Sequence, residues 1–331
     1  MKNNLSEICK PIQAQLREVD RMIQESIQSR AELIPRISNH LIQGGGKRIR
    51  PTLLIASARA CGYRGKRILS LGAAVELLHS ATLLHDDVVD CSQNRRGRPA
   101  AHTVFCNSAS ILVGDFILAK GVSLIVDNRS IEILKPLAGV IVRLAEGEAL
   151  QLARRGSIPQ ESEYLTIITS KTALLFSATC KVGAMVARAP QPSIRALDNF
   201  GLNFGIAFQL IDDCLDYLPG PGGAGKDWGR DLNEGKVTLP LLQALRRCQT
   251  KEKEQVLHLI RARAQENSSP LPARTILRIR GLIEKYQGFE YTRARAQVYT
   301  DLAKRALKKI QPASRRKLLE DLADAYQERE N

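Results

Sequence analysis

From residue 66 to residue 90 the chain meets no helix breaker except Gly72. Its apolar residues Leu69, Leu71, Val75, Leu77, Leu78, Leu83 and Leu84 form a broad face, and the run then ends in Asp86-Asp87-Val-Val-Asp90. A second helical run, 193–217, ends the same way: Phe208-Gln-Leu-Ile211 leads into Asp212-Asp213-Cys-Leu-Asp216. Positions i and i+4 of a helix project from nearly one face, so Asp86 converges with Asp90 and Asp212 with Asp216. Three carboxylates within two turns repel one another, and acids at a helix C-terminus also oppose the macrodipole. A fold that keeps two such helix ends needs a compensating positive charge beside each.

The rest of the pattern is helical too. Ile12, Leu16, Val19, Ile23 and Ile27 recur at spacings of three and four. Residues 107–126, 130–154, 161–187, 238–264, 271–287, 289–310 and 313–328 read as further helices, and no stretch alternates with period two beside hairpin turn residues. The expectation is an all-α fold of long helices around a large core. With 331 residues, 44% of them hydrophobic, and no Ser/Pro-rich linker, the chain reads as one domain, 1–331. Pro219 to Gly225 is a short loop. Met1–Glu7 has no apolar signal core. Ile111–Val126, interrupted by Asp115 and Lys120, reads as too short and too polar to cross a bilayer. The expected location is cytoplasmic. Seven scattered cysteines with no CxxC pair fit a reduced compartment, and no His/Cys spacing describes a zinc site.

An oxygen-only donor set points to a hard cation. Mg²⁺ is held by one or two carboxylates, with waters and substrate phosphates completing its shell. The two clusters, 212 − 86 = 126 residues apart, can face each other across a cavity and hold metals around one diphosphate. Cations stand at matching places: Lys47, Arg48 and Arg50 after the Gly44-Gly-Gly46 turn, Arg95-Arg96-Gly97-Arg98, Lys171 beside Thr172, and Lys226 and Lys236 after the second cluster. Arginine forks suit phosphate oxygens, and lysines act as point charges. The formal charge of +15 fits an anionic partner. With only 5% aromatics and none interleaved with basic stretches, nucleic acid is not the partner expected.

In combination, Gly44-Gly-Gly-Lys-Arg-Ile-Arg-Pro51, Leu83-Leu-His-Asp-Asp-Val-Val-Asp90, Arg95-Arg-Gly-Arg-Pro99, Ser170-Lys-Thr-Ala173, Phe208 to Tyr217 and Gly225-Lys226 through Pro240 resemble the trans-isoprenyl diphosphate synthases, most closely their long-chain polyprenyl branch. The similarity runs from about residue 40 to 240 and more loosely to the C-terminus. The resemblance implies the isoprenoid synthase helical bundle around a central cavity, and a prenyltransferase that condenses isopentenyl diphosphate onto an allylic diphosphate with Mg²⁺. It implies that Asp86, Asp87 and Asp90 bind Mg²⁺, that Asp212 completes the metal shell, and that Asp213 and Asp216 support it. Arg95, Lys171 and Lys226 would contact the allylic diphosphate, with Lys236 nearby. Thr172 and Gln209 would line the reaction centre, and Lys47, Arg50, His79 and Arg96 would hold isopentenyl diphosphate. Glu146 and Glu148 match the family pattern as supporting residues, and Asp115 as a buried hydrogen-bonding residue. Cys91 and the pair Asp227-Trp228 depart from the pattern without removing a ligand.

Product length is read from the helix before Asp86. Ala81 and Thr82 are small, Leu78 is the next turn, and no aromatic closes the path, so a long product is expected, octaprenyl diphosphate the single best choice. The alternatives are a shorter-chain synthase (geranylgeranyl or farnesyl) and a non-catalytic subunit of a heteromeric synthase; a terpene cyclase would lack the isopentenyl-binding Gly-Gly-Gly-Lys-Arg run. A homodimer is expected from the family. The basic C-terminal third, from Arg261 to Lys317, is a candidate for peripheral contact with an anionic membrane.

Overall fold

The computed structural model describes residues 2–218, 228–263 and 271–328. Lys226, Asp227 and the loop read at Pro219–Gly225 lie outside the described residues. In chain order the helices are α1 (Lys2–Cys9), α2 (Gln13–Ser26), α3 (Leu33–Gln43), α4 (Ile49–Ala60), α5 (Arg67–Val89), α6 (Ala101–Phe105), α7 (Asn107–Val126), α8 (Ile131–Ala153), α9 (Glu161–Ile168), α10 (Leu174–Val186), α11 (Gln191–Leu215), α12 (Arg230–Asn233), α13 (Leu239–Arg247), α14 (Thr250–Arg263), α15 (Ala273–Lys285), α16 (Gly288–Leu307) and α17 (Ala313–Gln327). α5 packs along α7, α11 lies against α10 and α16, and α4 packs on α10. The fold is all-α, as the periodicity implies.

Several boundaries differ from the sequence reading, each for a local reason. The run 238–264 is two helices. It breaks at Cys248, which is extended, and the Gln249 amide is taken by Glu252 Oε2 at 3.1 Å to restart the helix as α14. The run 161–187 is unbroken but changes gauge: Thr169–Ala173 forms a π-helical turn between α9 and α10. α4 escapes a periodicity search because Pro51 to Ala58 are all buried, and a helix wrapped on every side carries no apolar stripe. One hairpin exists where none was expected. Asn94–Arg95 pairs with Arg98–Pro99, and the turn residues Arg96 and Gly97 both have positive φ (54° and 74°), the geometry of a two-residue hairpin turn that follows strand twist. By length and composition alone α5 and α7 reach the threshold for a membrane-crossing helix, a test that core helices also pass; 67% of the α5 window and 39% of the α7 window are buried inside the fold.

α5 and α11 present their C-terminal ends to one cavity of about 890 Å³. The loop before α4, the hairpin, the α8 C-terminus, α9, the π turn and the segment 230–238 complete its walls.

Candidate active site

α5 ends at Val89 with Asp90 as its C-cap, and α11 ends at Leu215 with Asp216 as its C-cap. The aspartate clusters therefore sit at helix C-termini as the sequence implies, but their six carboxylates are not equivalent. Asp86 lines the cavity on the same face of α5 as His79, Thr82 and Leu83. Burial and the nearby Glu148 push its pKa up to about 7. Asp87 is off the cavity wall and nearly fully buried; Arg95 Nε donates to both its oxygens, at 2.9 and 3.1 Å, and Arg230 lies 3.6 Å away. Asp90 takes the Arg155 guanidinium on Oδ1 and Lys236 Nζ on Oδ2 at 2.7 Å. That lysine is also 2.5 Å from Glu234 Oε2. Burial works against the charges of Lys236 and Glu234, yet their mutual attraction prevails, raising the lysine and holding Glu234 at about 2.

In the second cluster Asp212, Asp213 and Asp216 all line the cavity, with different partners. Asp213 accepts from Tyr164 Oη at 2.5 Å and from Gln209 Nε2 at 2.7 Å; Gln209 Oε1 accepts in turn from Thr172 Oγ1 at 2.8 Å. Burial first, then the neighbouring Asp231, carry the Asp213 pKa well above the ordinary carboxylate range. Asp216 accepts the backbone amides of Arg230 and Asp231 at 3.0 and 3.1 Å and so anchors the start of α12.

Lys171 and Thr172 reach the cavity from the π turn. A π turn carries one more residue than an α turn and so re-aims its side chains. It lies hard against α8: a Cβ on Gly147 would come within 2.7 Å of Ser170 Cβ and 3.1 Å of Lys171 Cγ. Lys171 Nζ is held 2.5 Å from Glu148 Oε2, while Glu146 is exposed and paired with Arg143. Gly147→Ala is therefore expected to push Lys171 off its position, with a stability loss of about 1–3 kcal/mol and a larger proportional loss of kcat than of substrate affinity; steady-state kinetics beside urea unfolding checks both.

The glycine turn delivers the other cations. Arg48, at φ 48°, lines the cavity but is tied down: its Nε donates to Asp20 at 2.7 Å and its Nη1 to buried Glu76 at 3.0 Å, bracing the loop on α2 and α5. Lys47 and Arg50 line the cavity, Lys47 beside the Tyr326 ring and Arg50 4.7 Å above the Phe176 ring. Burial lowers Arg50 to about 10, and its Nε is buried without a partner. His79 is held well below its usual pKa by burial and by Arg50, Arg96, Arg95 and Arg48 around it, so it is neutral. Arg96 crosses the mouth to the Gly45 carbonyl.

Several expectations need correction. Asp115 is 61% exposed, not buried, and faces His85 at 3.4 Å. Of the three residues read as controlling product length, only Thr82 lines the cavity; Ala81 and Leu78 are each 1% exposed and belong to the core shared with α7, where Leu78 closes on Gly121. The reason is rotation: Ala81 is five residues before Asp86, well off its face, whereas Thr82 is four. Sequence reading also passed over Tyr164, Arg155, Arg230, Asp231 and Glu234, all on the cavity wall. Arg154-Arg155-Gly156, directly after the long α8 run, was the available signal for one of them.

No three of the acidic, histidine or cysteine side chains converge into a closed metal site among the described residues. The arrangement still fits a divalent cation of the magnesium kind. Asp86 and Asp212 line the same cavity with oxygen donors only, and such ions take only one or two carboxylates when phosphates supply the rest.

An all-α fold with two acidic helix ends and a cationic rim around one cavity defines a class of enzyme that handles diphosphates. The model of the family "Polyprenyl synthetase" matches residues 31–274. The octaprenyl diphosphate synthase of Escherichia coli (strain K12) is 37% identical over 321 residues, 97% of each chain. The all-trans-nonaprenyl-diphosphate synthase (geranyl-diphosphate specific) of Rhodobacter capsulatus is 36% identical, over 96% of this chain and 95% of that one. The crystal structure of a polyprenyl synthase from Caulobacter crescentus CB15, complexed with calcium and isoprenyl diphosphate, superposes with a TM-score of 0.92 at 40% identity, covering 99% of this chain and 98% of that one. The chain belongs to the polyprenyl synthetase family of trans-prenyl diphosphate synthases and is a prenyltransferase.

Proposed function

We propose that this chain is a long-chain all-trans polyprenyl diphosphate synthase, Mg²⁺-dependent, that adds isopentenyl units sequentially to an allylic diphosphate such as farnesyl diphosphate, with octaprenyl diphosphate as product. The observation that carries the reading is the meeting of both aspartate-bearing helix ends with Lys47, Arg50, Arg95, Arg96, Lys171 and Lys236 around one cavity. Mg²⁺ held by Asp86, Asp90 and Asp212 would supply charge neutralisation for the departing diphosphate. Arg95 and Lys171, with Lys226, bind the allylic diphosphate and stabilise the same charge. Lys47, Arg50, Arg96 and neutral His79 hold isopentenyl diphosphate. Thr172 orients the Gln209 carbonyl toward the reaction centre, and Asp213, fixed by Tyr164, holds the amide end. Leu83, Ile167, Ile168 and Phe208 give the cavity an apolar wall that keeps water from an allylic cation.

Incubation with farnesyl diphosphate, labelled isopentenyl diphosphate and Mg²⁺ is expected to give a ladder ending at a long prenyl chain, abolished by EDTA. Absence of incorporation would overturn the reading in favour of a non-catalytic subunit. Thr82 is the residue of this helix stretch that lines the cavity, so Thr82→Phe is expected to shorten the product while leaving the metal carboxylates in place; an unchanged ladder from an active variant rejects this path.

The homodimer forms part of the same proposal. The neighbouring helices α7 and α8 leave Leu112 (65%), Val142 (59%), Leu152 (49%) and Ile111 (42%) exposed, an apolar face suited to a second copy. Sedimentation equilibrium tests it. Peripheral membrane contact gains less support, because Arg280, Arg316 and Lys317 of the basic C-terminal third are paired with Glu284, Glu320 and Asp321.

A further inference from the structure

Asp90 is the carboxylate of the first cluster that carries a different cation on each oxygen, and the cations around it are held differently. Lys236 is also fixed by Glu234 at 2.5 Å. Arg230, 4.0 Å from Asp90, is fixed by the same Glu234 at 2.7 Å and donates to Ser92 Oγ at 3.2 Å. Among the described residues Arg155 has Asp90 as its one carboxylate partner; its other hydrogen bonds there are two of 3.2 Å to the Val89 carbonyl, and its buried Nε has no partner among them. It follows the C-terminus of α8, on the cavity wall.

Cations seated on both oxygens of a carboxylate compete with a metal ion for it, and the ion binds more readily once one of them yields. Lys236 is tied to a second buried carboxylate, Glu234, at 2.5 Å, so moving it off Asp90 disturbs two buried ion pairs, which is costly. Arg155 abandons one carboxylate and one carbonyl, and its fork geometry suits phosphate oxygens as well as carboxylates. We propose that Arg155 is the exchangeable counter-ion of Asp90: it neutralises that carboxylate in the metal-free enzyme, yields it when a divalent cation binds, and then serves the diphosphate. The inference rests on the proposed role of Asp90 toward the metal. It makes metal and diphosphate binding mutually reinforcing, with Arg155 as the group that carries the coupling.

The test is binding, with Mn²⁺ and inorganic pyrophosphate as probes. Free Mn²⁺ is measured by electron paramagnetic resonance, and pyrophosphate affinity by calorimetry at saturating Mn²⁺. Arg155→Gln is expected to bind Mn²⁺ alone about fivefold or more tightly than the wild type, and pyrophosphate about tenfold less tightly, within the usual span of coupling between sites. Arg155→Lys, which keeps the charge but not the fork, is expected to fall between, and carries the test if the glutamine variant does not fold. Mn²⁺ affinity that is unchanged or weaker in a folded variant overturns the proposal and leaves Arg155 as a brace for Asp90. A wild type that binds no Mn²⁺ even with pyrophosphate overturns the metal reading itself, which separates the two failures.

Discussion

Asp86→Asn is expected to lower kcat/KM for prenyl transfer by about 10³-fold, the scale of losing a charge that stabilises a transition state, while the metal-free fold loses nothing. The second half of that expectation comes from the position of Asp86. Burial and Glu148 raise its pKa to about 7, above the ordinary value of 3.8, so the folded protein holds this proton more tightly than the unfolded chain does. The unfolded chain releases the proton near pH 4 and the folded one near pH 7, and stability contributed by the protonated form declines as pH rises through that window. In EDTA the wild type should therefore lose stability between about pH 4 and 7, and Asp86→Asn should lose less. Urea unfolding at both pH values, paired with steady-state kinetics, checks the prediction. An asparagine variant that is fully active, or that unfolds with the same pH dependence as the wild type, contradicts it.

Asp87→Ala is expected to act in the opposite sense, on the fold before the chemistry. Asp87 is 1% exposed and holds Arg95 through both oxygens, with Arg230 close by. Removing one member of a buried ion pair leaves the other charge uncompensated, at a cost of about 3–5 kcal/mol. The urea midpoint should fall in proportion, and Arg95 should lose its position on the cavity wall, weakening allylic diphosphate binding as a second effect. A stable Asp87→Ala protein that has lost only metal affinity would show that this carboxylate serves the ion and not the hairpin. Of these adjacent aspartates, Asp86 lines the cavity and Asp87 is paired with Arg95.

Helical periodicity and the repeated acid motif made the all-α class and both acidic helix ends legible, because each depends on local spacing. The cation set was legible for the same reason: Lys47, Arg50, Arg95 and Lys171 stand in short motifs. What escaped was set by rotation and by distance along the chain. One residue of helix turn, about 100°, decides that Thr82 faces the cavity and Ala81 the core. Asp90 and Lys236 meet across 146 residues, and no local pattern announces that pairing. Arg48 and Arg50, two positions apart, both line the cavity, yet Arg48 is paired with Asp20 and Glu76 while Arg50 packs on the Phe176 ring. The Gly-Arg hairpin escaped because a two-residue ladder is too short to alternate.

The π turn at Thr169–Ala173 puts the two halves of one long helix out of phase. A helical wheel drawn through 161–186 in uniform steps therefore misplaces every residue on one side of the turn. In the currency of insertion and deletion, this stretch reads as a helix holding one residue too many. Removing a single residue there would restore regular hydrogen bonding and suit the backbone, yet it would rotate either α9 with Tyr164, or α10 with its buried Leu175 and Phe176, by about a quarter turn. The frame of this segment is thus tied to the cavity it lines.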